Sequence, residues 1–167
     1  SAIIAAATYI FAMALFFTLL APMGGYSLNF TEYMAFLTAN KTMVFIWHFT
    51  MYMINGVCLV ILALALYERL NDSTPALSKI ATVFGLVWTA FVFLSGFITN
   101  FGTEALVNQY GKNPVQAETL KYMLDTITLG IDSSDRFLGC LWVLLTSATA
   151  FKAKALPKAL CILGLLI

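Results

Sequence analysis

Charge is what this chain has least of. Nine Lys plus Arg, eight Asp plus Glu and one His occur among 167 residues, so 10% of the chain is charged where a soluble domain carries roughly 25%. A net charge of +1 without any clustered basic stripe excludes a phosphate-binding surface, and nucleic acid is not expected as a partner. A single histidine, His48, cannot by itself supply bis-histidine haem ligation, a paired-histidine di-iron site or a three-histidine zinc site. The cysteines Cys58, Cys140 and Cys161 each sit inside an apolar run, as small buried hydrophobes do, and not as a disulfide or metal framework. No Gly-rich phosphate loop occurs, which removes ATP-driven work. Neither a metal nor a cofactor is expected.

What is present is hydrophobic: 61% of the residues, with a mean hydropathy of +0.90. A bilayer core of about 30 Å is crossed by roughly 20 apolar residues rising about 1.5 Å each. Such runs extend from Ile3 to Ala21, ending at Pro22-Met-Gly-Gly, from Thr42 to Tyr67, and from Ile80 to Phe101. A fourth span is expected at about 131–151; its uninterrupted apolar part, Phe137 to Phe151, crosses only if the polar stretch before it joins the helix. A fifth run begins at Ala159 and reaches Ile167 after too few residues to cross. The expected fold is an all-α polytopic transmembrane bundle over residues 1–167, one domain of four complete spans and the start of a fifth. A start at Ser1 and an end within an apolar run are expected of a piece of a longer protein.

Lys and Arg in short loops set orientation. Arg69 and Lys79 join spans two and three, and Lys152, Lys154 and Lys158 follow span four, so these turns are expected in the cytoplasm with the amino terminus. Both outside loops read as amphipathic helices. In the longer one Asn113 is an N-cap, Pro114 suits the first helical position, Gln116 can complete a capping box, and Leu120, Met123, Leu124 and Ile127 form an apolar stripe. In the shorter one Thr31 is the expected cap, followed by Tyr33, Met34, Phe36 and Leu37. Small residues at Gly85, Gly96, Gly139 and Ala148 would let helices approach closely.

Polar groups inside a bilayer are expensive and usually face the bundle interior or a wet cavity. His48 and Asn55 share a face of span two at i, i+7; Asn100 ends span three; Asp135 and Arg136 begin span four. The functional reading is an outward-opening pocket for a lipid-like or aromatic ligand, lined by His48, Asn55, Asn100, Asp135 and Arg136, with Trp142 among its apolar walls. The plainer reading takes Asp132-Ser-Ser-Asp135 as a helix start, lets Arg136 snorkel, and pairs His48 and Asn55 with neighbouring helices.

Thr82-Val-Phe-Gly-Leu-Val-Trp88, Tyr110-Gly-Lys-Asn-Pro114, Asp135-Arg-Phe-Leu-Gly-Cys-Leu-Trp-Val-Leu-Leu145 and Leu156-Pro-Lys-Ala-Leu-Cys-Ile-Leu-Gly164 resemble an uncharacterised family of bacterial multi-pass membrane proteins, a domain of unknown function. The resemblance runs from the third span onward. It implies about six spans in the intact protein and no activity.

Three classes of function compete. The leading one is a non-enzymatic protein of the inner (plasma) membrane: an accessory subunit contacting other membrane proteins, or a binder of a small apolar ligand such as a lipid or quinone. The second is a transporter of a small molecule or ion, motivated by His48 and Asn55 but set back by the absence of proline from spans two and three. The third is a membrane enzyme acting on a lipid or quinone head group, with His48 as general base and Arg136 holding an anion.

Overall fold

An apolar run can bury its backbone only if every N–H and C=O is paired, and a helix does this within one segment. The runs here take that route. The computed structural model describes residues 2–21 and 28–166, and among them all regular structure is helical. The first helix, α1, runs over Ala2–Leu15 and continues as a π turn over Phe16–Leu20; α2 is Phe30–Ala39. Helix α3 is Lys41–Leu70, with a π turn at Phe49–Ile54. Then follow α4 at Pro75–Tyr110, α5 at Pro114–Ala153 and α6 at Lys158–Leu165. The Pro22-Met-Gly-Gly punctuation and Ile167 lie outside the described residues. Two helices, α3 and α4, are long and apolar enough to cross a membrane; the apolar stretch Ala6–Leu20 of α1 is shorter.

Asn29, not Thr31, caps α2. Its side chain accepts from the Glu32 N–H at 2.9 Å while Glu32 Oε2 accepts from the Asn29 N–H at 3.0 Å, a complete capping box. Asn113 caps α5 as expected, accepting from the Gln116 N–H at 3.1 Å with Pro114 first in the helix. Gln116 completes no box, because its Oε1 accepts from Gln109 Nε2 across the turn at 2.7 Å.

The largest difference from expectation lies in α5. A separate loop helix followed by a span was expected; one helix of 40 residues runs through both. Nothing between Ile127 and Phe137 stops it. Ser133 and Ser134 donate back to the carbonyls of Leu129 (2.7 Å) and Gly130 (3.1 Å), the i−4 bonding of a helix interior. Asp132–Asp135 therefore does not start a helix. At about 1.5 Å per residue, α4 and α5 are about 54 and 60 Å long, well beyond the thickness of a bilayer core.

The α4–α5 pair is registered by two reciprocal contacts. Trp142 packs on Gly85 and Trp88 packs on Gly139, with the two indoles 5.3 Å apart. A Cβ on Gly85 would lie 2.7 Å from Trp142 Cδ1, and one on Gly139 would lie 2.9 Å from Trp88 Cε2. The α3–α4 pair closes in the same manner, Gly96 receiving Tyr52 and Gly56 receiving Phe93. Ala148 is half-buried.

At one end, α2 closes the bundle through a buried cluster of Leu20, Met34, Leu37, Val44, Leu106 and Ala117. Half of the expected α5 stripe joins it: Leu120 and Leu124 pack there, while Met123 and Ile127 stay exposed. At the α6 end, Leu70, Ala150 and Cys161 form a smaller core, and Arg69 Nη2 donates to the Ala155 carbonyl at 2.9 Å. The two basic turns thus meet at one end.

Replacing Gly85 or Gly139 by Ala should cost about 1–3 kcal/mol, the usual price of overpacking. Gly130, which has nothing within 4 Å of a built Cβ, should gain about 0.5–1 kcal/mol from the same change. Unfolding of the three variants in one detergent measures the contrast, with opposite signs expected.

Candidate functional site: a buried polar layer beside an aromatic groove

The π turn of α3 sets the site. There the Asn55 N–H reaches back to the Thr50 carbonyl, five residues earlier, as well as to Tyr52. A π turn inside an α-helix locally alters which side chains share a face, and such turns recur at functional sites. Just before it, Trp47 is tied to α1, donating to the Ala12 carbonyl at 2.9 Å and stacking on Phe16 at 5.5 Å. His48 turns inward. It is 5% exposed, lies between the rings of Trp47 (4.9 Å) and Tyr52 (6.1 Å), and faces the Asn100 side chain of α4. Neither His48 Nδ1 nor Asn100 Oδ1 completes a hydrogen bond, although both are buried. Asn55, 2% exposed, also buries an unbonded Oδ1.

The opposite wall comes from α4 and α5. Ser95, 1% exposed, donates to Asp132 Oδ1 at 3.1 Å. Tyr52 lies within electrostatic reach of both Asp132 and Asp135, and of Tyr9 on α1. Asp135 faces Trp88, yet Asp135 Oδ1 and Trp88 Nε1 are both buried without completing a bond.

His48 and Asn100 thus face each other between α3 and α4, Asp135 lies against Trp88, and Asn55 is buried on α3 about two turns from His48. Trp142 is buried nearer the α6 end, where it supports Trp88 without joining the four. Arg136 is exposed, so its guanidinium does not share their interior. Sequence reasoning left out Ser95 and Trp88 as members and treated Asp132 as part of a helix start. The i, i+7 spacing of Trp88 and Ser95 placed them on one face and was the available signal.

The expected single pocket is divided in two. A groove of about 380 Å³ runs between α3 and α4, walled by Phe45, Phe49, Phe93, Phe97 and Phe101. Phe45 stacks on Phe49 at 6.0 Å and Phe97 on Phe101 at 6.4 Å, the i, i+4 pairing of neighbouring turns. Its polar lining is Asn100, Thr103 and, at the α2 end, the Lys41–Glu104 ion pair at 3.5 Å. Of the sequence-derived candidates only Asn100 lines it.

A second groove of about 270 Å³ runs between α4 and α5 beneath Tyr33, lined by Lys121, Asp125, Thr128 and Asp132 among others. Lys121 lies 4.8 Å over the Tyr33 ring and 2.5 Å from Asp125. Burial raises the Tyr33 pKa above its ordinary value, and the Asp125 charge adds to the shift. Among the described residues no three of His, Cys, Asp and Glu gather so as to hold a metal ion.

One family of known sequences covers the chain from end to end: that described as "Domain of unknown function (DUF4386)", which matches residues 1–167. The chain belongs to this family. Its match includes α1 and α2, beyond the half of the sequence that carried the resemblance. No curated protein and no solved structure matches the chain.

Continuity of α5 through Asp132–Asp135 has a direct consequence. Ser133→Pro would suit the first turn of a helix capped at Asp132, but in a helix interior it should cost about 3 kcal/mol. Thermal unfolding of this variant beside Ser133→Ala is expected to show a large loss for Pro alone; equal stabilities would return Asp132 to the role of a cap.

Proposed function

We propose that this family member is a bacterial multi-pass protein of the inner (plasma) membrane that binds an amphipathic, lipid-like molecule in the aromatic groove between α3 and α4. The observation that carries this reading is the groove's polarity. Five Phe rings line its length, and a cation–anion pair stands at one end. From Val57 to Lys41 is 16 residues of α3, about 24 Å at about 1.5 Å per residue, enough for an extended acyl or isoprenoid chain lying along the helices. The head group would meet Lys41 and Glu104, whose opposite charges complement a zwitterion.

In this reading α1, α3, α4 and α5 cross the bilayer and α6 begins a further crossing, in an intact protein of about six spans. The amino terminus is cytoplasmic, because Arg69, Lys79, Lys152, Lys154 and Lys158 fall at or near the α6-end turns. The α2 end faces outward. The protein performs no chemistry of its own and serves as a ligand-binding or accessory subunit. Exposed faces such as Val83, Val87 and Phe137 are available to lipid or to other membrane proteins.

Transport is the second reading, favoured by the buried polar layer of α3. His48→Ala and Asn55→Ala would then reduce flux in proteoliposomes.

Native mass spectrometry of the protein released from membranes into mild detergent tests the ligand. A lipid or quinone should remain bound to the native protein, and Phe49→Ser with Phe97→Ser should lower its occupancy at least fivefold without unfolding the bundle. Loss-free binding in that double variant, or a protein free of any ligand, would refute the groove as the site.

A further inference from the structure

We propose that the groove between α3 and α4 takes an ester-linked glycerophospholipid, with Asn100, oriented by His48, donating to an ester carbonyl and Lys41 and Glu104 holding a zwitterionic head group. The inference rests on the lipid reading of the groove and narrows it to one class of lipid.

The first observation is the order of polarity along the groove. Lys41 and Glu104 stand at the α2 end, Asn100 lies one turn of α4 further in, and beyond Asn100 the lining is apolar as far as Val57 and Phe93. Charge, neutral amide and hydrocarbon therefore follow one another. Glu104 and Asn100 are four residues apart, about 6 Å along α4 at about 1.5 Å per residue. A glycerophospholipid repeats this order, because glycerol separates its charged head group from ester carbonyls that mark the start of the chains. Other amphiphiles do not. In a quinone or a fatty acid the carbonyl belongs to the head itself, and a long-chain alcohol has none.

The second observation is which end of the Asn100 amide meets the groove. Asn100 Oδ1 is buried and faces His48, which is 5% exposed and whose Nδ1 also lacks a bond. Asn100 Nδ2 differs: among the described residues it donates to no protein acceptor, and it is not buried. It is the polar atom that Asn100 brings to the groove lining. A proton on His48 Nδ1 holds the amide this way round, with its oxygen toward the imidazole and its donors toward the ligand. An amide N–H beside hydrocarbon lacks water and needs an acceptor. An ester carbonyl is one.

The third is the state of the charged pair. Lys41 Nζ and Glu104 Oε1 are 3.5 Å apart, and their side chains are 44% and 54% exposed. So loose a pair leaves donors on the ammonium and an oxygen on the carboxylate free for a ligand. Lys41 meets the phosphate and Glu104 the ammonium of the head group.

The test uses the whole protein in mild detergent, with native mass spectrometry reading the occupancy of two added lipids. Both carry a phosphoethanolamine head group and chains of one length; one is a diester and the other a diether without carbonyls. Lipid that remains on the Phe49→Ser, Phe97→Ser double variant is subtracted as bound elsewhere. The native protein should bind the diester about fivefold more tightly, the size of one net hydrogen bond. Asn100→Leu should lower diester binding to the diether level and leave the diether unchanged. His48→Leu should reduce the preference as well, whereas His48→Gln, which keeps a donor behind the amide, should preserve it. Equal binding of the two lipids by the native protein, a comparison that needs no variant to fold, would overturn the inference and leave the groove a lipid site. A preference that survives in Asn100→Leu would do the same, as would retention of an added quinone ahead of both phospholipids. Binding of no lipid or quinone at all would remove the groove reading itself.

Discussion

The close approach of α4 and α5 is the contact on which the remaining arrangement depends. Two tryptophans each occupy the space that a Cβ would take on the facing helix, at Gly85 and Gly139. Because an indole is large and rigid, this pairing tolerates one register and no neighbouring one. The same register brings Ser95 onto Asp132 and Leu124 onto Gly102. A slip of one turn would separate them.

From this register follows the division of the interior into two kinds of space. Along α3 and α4, from Val57 and Phe93 to the α2 end, phenylalanines line a groove with polarity at one end. Where α4 and α5 meet α3, the side chains are Asp, Asn, Tyr and His, several with buried atoms lacking a partner. The π turn of α3 lies between these regions and serves both. Phe49 and Met53 within it line the groove, while Tyr52 faces the acidic pair.

The all-helical fold and the rough places of α1, α3 and α4 could be read from the sequence because a long apolar run pairs its backbone groups within one segment only as a helix, and Asn113-Pro114 marked the start of α5 by local chemistry alone. The continuity of α5 could not. Asp132-Ser-Ser-Asp135 carries the residue types of a helix start, but Ser133 and Ser134 bond back to the preceding turn and Asp132 accepts from Ser95 on the facing helix, so the segment stands in a helix interior. Asn29 was passed over for Thr31 because the reciprocal Glu32 contact depends on backbone geometry that spacing does not fix. His48, Asn55, Asn100 and Asp135 were legible as polar groups set in or at the ends of apolar runs. Arg136 was not separable from them, since adjacent residues on a helix point about 100° apart and only the packing decides which one faces inward.

The central claim is that one register of α4 on α5 turns Asp132 inward against Ser95. Short bifunctional thiol cross-linking tests it most directly in a background with Cys58, Cys140 and Cys161 replaced. Ser95→Cys combined with Asp132→Cys should cross-link efficiently in native membranes, and Ser95→Cys combined with Ser133→Cys should not. Preferential linkage through position 133, or equal linkage through both, would contradict the account.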